Sequence, residues 1–253
     1  MYTDLLVDWI DERTDGWAAC INYMDAHLPY EPKAQFDEWD DGTARKLQNE
    51  SDDQVWSFNS GKSPVWQMCG FESLYDGAIA QIDHEIGRLA DTLKARNEWN
   101  DTLLIVTADH GEGFGEPSEI RPDAIITGHG AGIHELQLHV PLLVKFPGQR
   151  TGVTHDEPVS LTDTPDVVRA AVNGDWKTNE YVTDGPVLAS SHGLEEPMEE
   201  RASQFVDDLW LYNGDYRALY TGCGDHVKKE ITWRNEYDSI VDVYNAQMNR
   251  VFR

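Results

Sequence analysis

The stretch TLLIVTADHGEGFGE, residues 102–116, decides how this chain is interpreted. It begins with an apolar run rich in β-branched residues, which is typical of a buried strand in a parallel sheet. The run ends at Asp109 and His110, and glycines follow at 111 and 113. Side chains alternate between the two faces of a strand, so this acid and this imidazole converge only if the chain leaves the sheet between them. Gly111 and Gly113 permit such a turn.

The segments around this stretch predict an α/β fold. Residues 72–97 carry apolar side chains at steps of three or four, which predicts a long helix, and Asn97 suits the C-terminal end of this helix. Its expected core-facing stripe is Ile79, Ile82, Ile86, Leu89 and Leu93. Apolar strands are expected at 16–25, 101–109 and 139–148, and shorter helices at 3–13 and 160–172. This order of elements predicts a mostly parallel sheet flanked by helices.

The character of the chain changes after about residue 175. Short apolar runs alternate with Asn-Gly and Gly turns, and a helix is expected at 239–251. We therefore predict an α/β core over residues 1–175 and a small antiparallel subdomain over residues 176–253.

The charge balance restricts the classes of partner. The 253 residues include 46 acidic and 20 basic side chains, a formal net charge of −26. A field of this sign repels phosphate backbones, which argues against nucleic acid as a partner. The acidic residues are spread along the chain, and self-repulsion falls in strong salt, where the screening length is about 3 Å at 1 M. We therefore expect a halophilic source.

Cysteine content and hydropathy exclude further classes. Cys20, Cys69 and Cys223 are widely spaced and form no CxxC motif, so a disulfide scaffold or a zinc ribbon is not expected. No apolar run approaches the ~18 residues that a membrane span requires. The acidic N-terminus is unlike a secretory signal, so the cytoplasm is the expected location unless an export signal precedes the chain.

Two further histidines stand near the ends of predicted strands. His27 lies in YMDAHLPY and His129 lies in ITGHGAGIHE. The carboxyl ends of parallel strands form the rim where open α/β sheets hold ligands, so both can share a rim with Asp109 and His110. A carboxylate oxygen with an imidazole nitrogen suits a divalent ion such as Ca²⁺, Mg²⁺, Mn²⁺ or Zn²⁺.

Several segments together resemble the sulfatases, which belong to the alkaline phosphatase superfamily of metal-dependent phospho- and sulfohydrolases. The order and spacing of these segments fit over most of the chain. The matching stretches are NYMDAHLPYEP (22–32), SLYDGAIAQIDHEIGRL (73–89), DTLLIVTADHGEGFGE (101–116), GHG (128–130), ELQLHVPLLVKFPG (135–148), SLTDTPDVV (160–168) and GDYRALY (214–220).

The resemblance implies a role for each candidate residue. Asp109 and His110 match a pair of metal ligands, with Ca²⁺ as the first candidate ion. His27 matches a histidine that contacts the sulfuryl oxygens or the leaving group. His129 occupies the place of a Lys or His near the scissile oxygen, and in two-metal relatives it can bind metal itself. The implied substrate is a sulfate ester of a carbohydrate or small molecule. Apart from the resemblance, Glu112 and Glu116 follow the ligands closely and are candidates for orienting His110, as metal-bound imidazoles usually need.

One departure from the family pattern affects the expected activity. Sulfatases carry an early Cys- or Ser-x-Pro/Ala-x-Arg motif whose first residue becomes the formylglycine nucleophile, and none of the three cysteines fits it. The chain is therefore expected to be the C-terminal portion of an alkaline-phosphatase-like fold, incomplete at its N-terminus. An N-terminal half from another chain could complete it, and the chain alone is expected to turn over little.

Two alternatives remain open. The first is a phosphodiesterase, phosphonate hydrolase or phosphoethanolamine-transferase relative of the same superfamily, which uses Thr or Ser as nucleophile. The second is a catalytically inactive remnant that acts as a binding subunit, with Trp56 and Trp66 as contact residues.

Overall fold

The computed structural model of the protein describes most of the first 182 residues and three short strands beyond them. The described residues are 2–40, 42–50, 58, 63–117, 125–129, 134–157, 159–182, 187–190, 217–221 and 228–232. Their helices are α1 (Tyr2–Asp11), α2 (Thr43–Glu50), α3 (Met68–Ala95), α4 (Glu135–Leu138) and α5 (Thr164–Asn173). Their strands are β1 (Leu104–Thr107), β2 (Gly113–Pro117), β3 (Ile125–Gly128), β4 (Leu142–Lys145), β5 (Val187–Ser190), β6 (Arg217–Thr221) and β7 (Lys228–Thr232).

The chain divides into two units. The first unit comprises Met1–Asp101, Phe114–Glu116 and Ile125–Gly128, and the second comprises Thr102–Gly113, Pro117–Ala124 and His129–Arg253. None of the helices described is long and apolar enough to cross a bilayer.

The long helix α3 dominates the first unit and confirms the predicted helix. Past its C-terminus, Asn97 adopts the left-handed conformation, with φ of 60°. The N–H of Asn97 donates to the carbonyl of Lys94, and the N–H of Glu98 donates to the carbonyl of Leu93. Asn is one of the few residues that tolerates this conformation, so Asn97 ends the helix as the sequence predicts.

The predicted stripe on α3 is wrong in part. Ile79 is 44% exposed, whereas Gln81 and Glu85 are buried at 4% and 3% exposure. Gln81 is accommodated by hydrogen bonds to Asp25 and to the backbone of residue 33, and Glu85 accepts a bond from Arg88. A pattern that counts apolar side chains overlooks polar residues whose partners allow them to be buried.

Two apolar clusters pack against α3. Side chains of α1 meet the C-terminal half of α3 through Leu6, Ile10, Leu89 and Leu93. The other cluster lies nearer the N-terminal end of α3 and consists of Tyr30, Ala44, Phe58, Met68, Phe71 and Leu74. The strand pair β2–β3 also belongs mainly to this unit.

The predicted strand at 16–25 does not form. Residues 16–23 have no helix or strand, and a single 3₁₀ turn follows at Met24–Ala26. Trp17 and Ile21 instead pack against the α1–α3 cluster, and the intervening residues 18–20 are exposed. The apolar residues of this run are used for contact with helices rather than for strand pairing.

The second unit overturns the predicted parallel sheet. β1 and β4 confirm that strands lie within 101–109 and 139–148, but they pair antiparallel, with Val106 opposite Leu143. The sheets of the described residues are small, and each pairing direction that is established is antiparallel. The predicted parallel sheet required helices or other elements packed on both of its faces, yet Leu143 is 62% exposed. A sheet covered on one face is compatible with antiparallel pairing.

The covered face of β1–β4 packs on α5. Phe146, Val167, Ala171 and Tyr181 form the buried cluster, and the ring of Trp176 stacks on Phe146 at 4.7 Å. Farther along the chain, β5, β6 and β7 form a three-stranded antiparallel sheet. The division into residues 1–175 and 176–253 stays a prediction, and the predicted helix at 239–251 lies outside the described residues.

Candidate functional site

The turn after β1 is shaped by a close backbone approach at Gly111. Its N–H donates to the carbonyl of Gln137 at 2.9 Å. A Cβ at residue 111 would lie 1.8 Å from the carbonyl oxygen of Leu136, closer than any non-bonded contact allows. Gly111 is therefore required because nothing larger fits beneath Leu136, whereas the sequence suggested only that it frees the backbone to turn.

This turn places the side chains of Asp109 and His110 on the same side of the chain. Oδ1 of Asp109 lies 3.8 Å from Nε2 of His110 and also accepts the backbone N–H of His110 at 3.1 Å. The Asp109 side chain is 86% exposed and that of His110 is 39% exposed. Two donors on one divalent ion lie about 3–3.5 Å apart, so this pair is close to the spacing that a shared cation needs.

His129 joins this pair. Its ring stacks on the ring of His110, with centroids 4.0 Å apart and planes inclined by 24°. Nδ1 of His129 lies 2.9 Å from Oε2 of Glu112. The structure therefore brings together three of the four predicted site residues, Asp109, His110 and His129, within the second unit.

His27 belongs to the first unit. It follows the 3₁₀ turn Met24–Ala26, its side chain is exposed, and Nδ1 lies 2.7 Å from the carbonyl oxygen of Leu28. Its place relative to the other three residues stays a prediction.

Glu112 was expected to orient His110, but it contacts His129 instead. Nδ1 of His110 lies 2.9 Å from the carbonyl oxygen of Gly111. The Glu112 side chain is 6% exposed, and its second oxygen, Oε1, is buried without a hydrogen-bond partner in the described part of the chain. The sequence showed that a carboxylate lies close to the predicted ligands. Which of the two histidines this carboxylate contacts depends on a fold that brings residue 129 beside residue 112.

The residues fit a divalent cation in donor type but form only part of a site. Asp109 and His110 supply one oxygen and one nitrogen, whereas protein metal sites commonly use three or four ligands. No group of three or more His, Cys, Asp or Glu side chains arranged to hold a metal occurs among the residues that the structure covers.

Similarity to known proteins is extensive at the level of the family. The sulfatase family model matches residues 1–171 of the 253. The multifunctional alkaline phosphatase superfamily protein PehA of Trinickia caryophylli is 36% identical over 75 residues, which cover 30% of this chain and 13% of that protein. An arylsulfatase of Clostridium perfringens is 30% identical over 97 residues, 36% of this chain and 18% of that protein.

One further sequence relative and one solved structure are also similar to this chain. Arylsulfatase K of Danio rerio is 27% identical over 104 residues, 41% of this chain and 18% of that protein. The solved structure of the phosphonate monoester hydrolase of Agrobacterium radiobacter aligns with a TM-score of 0.45 at 14% identity, covering 98% of this chain and 59% of that one. The matches to the three sequence relatives thus span less than a fifth of each relative's length.

Members of the sulfatase family are generally metal-dependent hydrolases. The matched residues 1–171 include His27, Asp109, His110 and His129, together with all of β1 to β4. Since the family model matches about two thirds of the sequence, the chain belongs to the sulfatase family.

Proposed function

We propose that this chain takes part in the metal-dependent hydrolysis of sulfate esters of carbohydrates or small molecules. The observation that carries the proposal is the convergence of Asp109, His110 and His129 after β1, in a chain of the sulfatase family. The mostly exposed carboxylate of Asp109 and the two neighbouring imidazoles provide cation-binding and proton-transferring groups at one accessible place.

The residues divide into two proposed roles. Asp109 and His110 would hold a divalent cation, with Ca²⁺ as the first candidate and Mg²⁺, Mn²⁺ or Zn²⁺ as alternatives. A bound cation supplies positive charge toward the non-bridging oxygens of the ester. His129, whose side chain is 33% exposed, would in its doubly protonated form donate a hydrogen bond to an ester oxygen or protonate the leaving alkoxide, which leaves the lone pair on Nε2. His27 is proposed for the same class of contact on the strength of the resemblance.

The nucleophile of the proposed reaction is not supplied by a recognisable motif in this sequence. None of Cys20, Cys69 and Cys223 lies in a Cys-x-Pro-x-Arg motif. If the family's formylglycine chemistry applies, the nucleophile comes from outside these 253 residues, and turnover depends on the part that carries it.

A phosphoester or phosphonate substrate is the second candidate. It is favoured by the similarity to PehA, which is named a multifunctional protein of the alkaline phosphatase superfamily. A tetrahedral phosphoryl group presents its non-bridging oxygens much as a sulfuryl group does, and a fully ionised phosphate monoester carries more negative charge than a sulfate monoester. The relative rates on paired aryl sulfate and aryl phosphate esters would separate the two candidates.

Cation binding by the 253-residue chain tests the proposed roles of Asp109 and His110. Calorimetric titration with Ca²⁺, Mn²⁺ and Zn²⁺ is expected to show uptake of at least one ion, and Asp109→Ala is expected to weaken it tenfold or more by removing one of the two donors. Asp156→Ala, which removes another exposed carboxylate in the second unit, is the matched control and should leave affinity unchanged.

Failure of all three ions to bind, with no effect of Asp109→Ala, would contradict the metal-dependent function. It would favour the alternative of an inactive binding subunit.

The acidic composition leads us to propose a high-salt environment as well, which predicts that the folded state becomes more stable as sodium chloride is added.

A further inference from the structure

We infer that Glu112 is a positioning residue: it holds the His129 ring so that the proton of the neutral imidazole lies on Nδ1 and the lone pair lies on Nε2. Oε2 of Glu112 lies 2.9 Å from Nδ1 of His129, and this contact defines the position of the ring proton. Its meaning for catalysis rests on the proposed function, in which His129 meets the ester.

The burial of Glu112 is the first step. Its side chain is 6% exposed, although a carboxylate loses favourable hydration when it leaves water. Such groups are normally buried only where donors compensate for this loss. Within the described residues, the His129 ring donates the hydrogen bond that Oε2 accepts, and Oε1 is buried without a donor. Among these residues, the imidazole is therefore the group that compensates for the burial of the carboxylate.

The carboxylate of Glu112 determines which nitrogen of the His129 ring carries the proton. An ionised carboxylate accepts hydrogen bonds and donates none, so a 2.9 Å contact with Nδ1 requires the proton to lie on Nδ1. The hydrogen bond at one ring nitrogen determines the state of the other. When the ring is neutral, Nε2 of His129 then carries the lone pair.

His110 provides an internal reference. Its Nδ1 lies 2.9 Å from the carbonyl oxygen of Gly111, which also only accepts hydrogen bonds. The same tautomer is therefore expected for His110. Because its partner is a backbone group, a substitution of Glu112 should leave the His110 tautomer in place.

An exposed pair of the same residue types provides the matched control. Nδ1 of His139 lies 3.2 Å from Oε1 of Glu135, four residues earlier, but these side chains are 79% and 42% exposed. Water competes for both groups there, so the carboxylate has little power to select a tautomer. Burial is thus the variable that distinguishes Glu112 from Glu135.

The test is the tautomer of each ring, read from ¹H–¹⁵N correlations of the full chain with ¹⁵N-labelled histidine at a pH where the rings are neutral. His129→Gln identifies the His129 signals. The wild-type His129 ring should show a protonated Nδ1 and an unprotonated Nε2. Glu112→Ala should abolish this preference, whereas Glu112→Gln should retain part of it because the amide oxygen accepts the same bond. Glu135→Gln should leave the His139 signals unchanged.

Two results would overturn the inference: a wild-type His129 ring protonated on Nε2, or a Glu112→Ala chain whose His129 signals match the wild type. Unchanged His110 signals show that a variant has kept the local fold. If Glu112→Ala does not keep this fold, Glu112→Gln is compared with the wild type instead. The readout is independent of turnover. If the wild-type chain binds no cation, loss of the Nδ1–H form in Glu112→Ala would support the positioning role and contradict the proposed function.

Discussion

The two segments that carry the candidate histidines are held in place by different means. In the first unit, the segment 25–33 around His27 is held by side chains from two helices. Gln48 of α2 accepts the N–H of Tyr30 and donates to its carbonyl, both at 2.8 Å. Gln81 of α3 accepts the N–H of Lys33 and donates to Asp25.

In the second unit, the turn 109–112 is held mainly by backbone contacts. Gly111 donates to the carbonyl of Gln137 and lies directly against Leu136. The side chains of this turn are then free for other contacts: Asp109 is exposed, and Glu112 reaches His129. The His27 segment therefore depends on side chains distant in sequence, whereas the turn depends on the absence of a side chain at one position.

The largest effect is expected for Gly111→Ala. The new Cβ would overlap the carbonyl oxygen of Leu136, which is backbone and cannot rotate away. We expect the free energy of unfolding to fall by about 3 kcal/mol, measured by urea denaturation.

Gly87→Ala is the matched control in α3. A Cβ at residue 87 meets nothing within 4 Å, and alanine is the better helix former. We expect a gain of about 0.5–1 kcal/mol. If Gly111→Ala were as stable as the wild type, the described approach of Leu136 would be incorrect, and the contrast between the segments would disappear.

An intermediate effect is expected for Gln81→Ala in the first unit. The change removes an acceptor from the Lys33 N–H and a donor from Asp25, in a position that is 4% exposed. We expect a loss of about 2 kcal/mol in the free energy of unfolding, because buried polar groups are costly to leave unsatisfied.

Gln149→Ala tests whether burial is responsible for that loss. Gln149 also uses both ends of its amide, accepting the N–H of Phe146 and donating to the carbonyl of Thr151, but it is only partly buried. Water can replace these bonds, so we expect a loss of about 0.5–1 kcal/mol. Equal losses in the two variants would contradict a special role for the buried glutamine.

The smallest effect concerns two tyrosines, one in each unit. Burial raises the pKa of Tyr23 and of Tyr181 above 10.0, although a hydrogen bond with Thr3 or Thr164 lowers each pKa in part. The unfolded chain therefore loses these protons first as the pH rises. The stability that each tyrosine contributes is complete below pH 10 and is lost as the pH passes through its folded-state pKa.

Measuring the free energy of unfolding against pH checks this expectation. Tyr23→Phe and Tyr181→Phe should each make the decline in stability above pH 10 less steep. If one of these variants loses stability above pH 10 as steeply as the wild type, the hydroxyl of the replaced tyrosine is not buried as described.

The extent to which the sequence predicted the molecule varies from element to element. The helix at 72–97 and its end at Asn97 were predictable because periodicity and a residue that tolerates the left-handed conformation are local signals. The strand 16–25 and the parallel sheet were wrong, since an apolar run shows that residues will be buried without showing against what. Gln81 was missed because its burial depends on partners 48 and 56 residues away.

For the candidate site, local sequence was enough to show that Asp109 and His110 are adjacent after an apolar strand and that the chain resembles the sulfatases. Three features became visible only in the folded chain: β1 pairs antiparallel with β4, Gly111 lies against Leu136, and Glu112 binds His129 rather than His110. The distinction is one of range along the chain. Strand, turn and neighbouring ligands are encoded within a few residues, whereas a hydrogen-bond partner is selected by distances that exist only after distant segments have packed together.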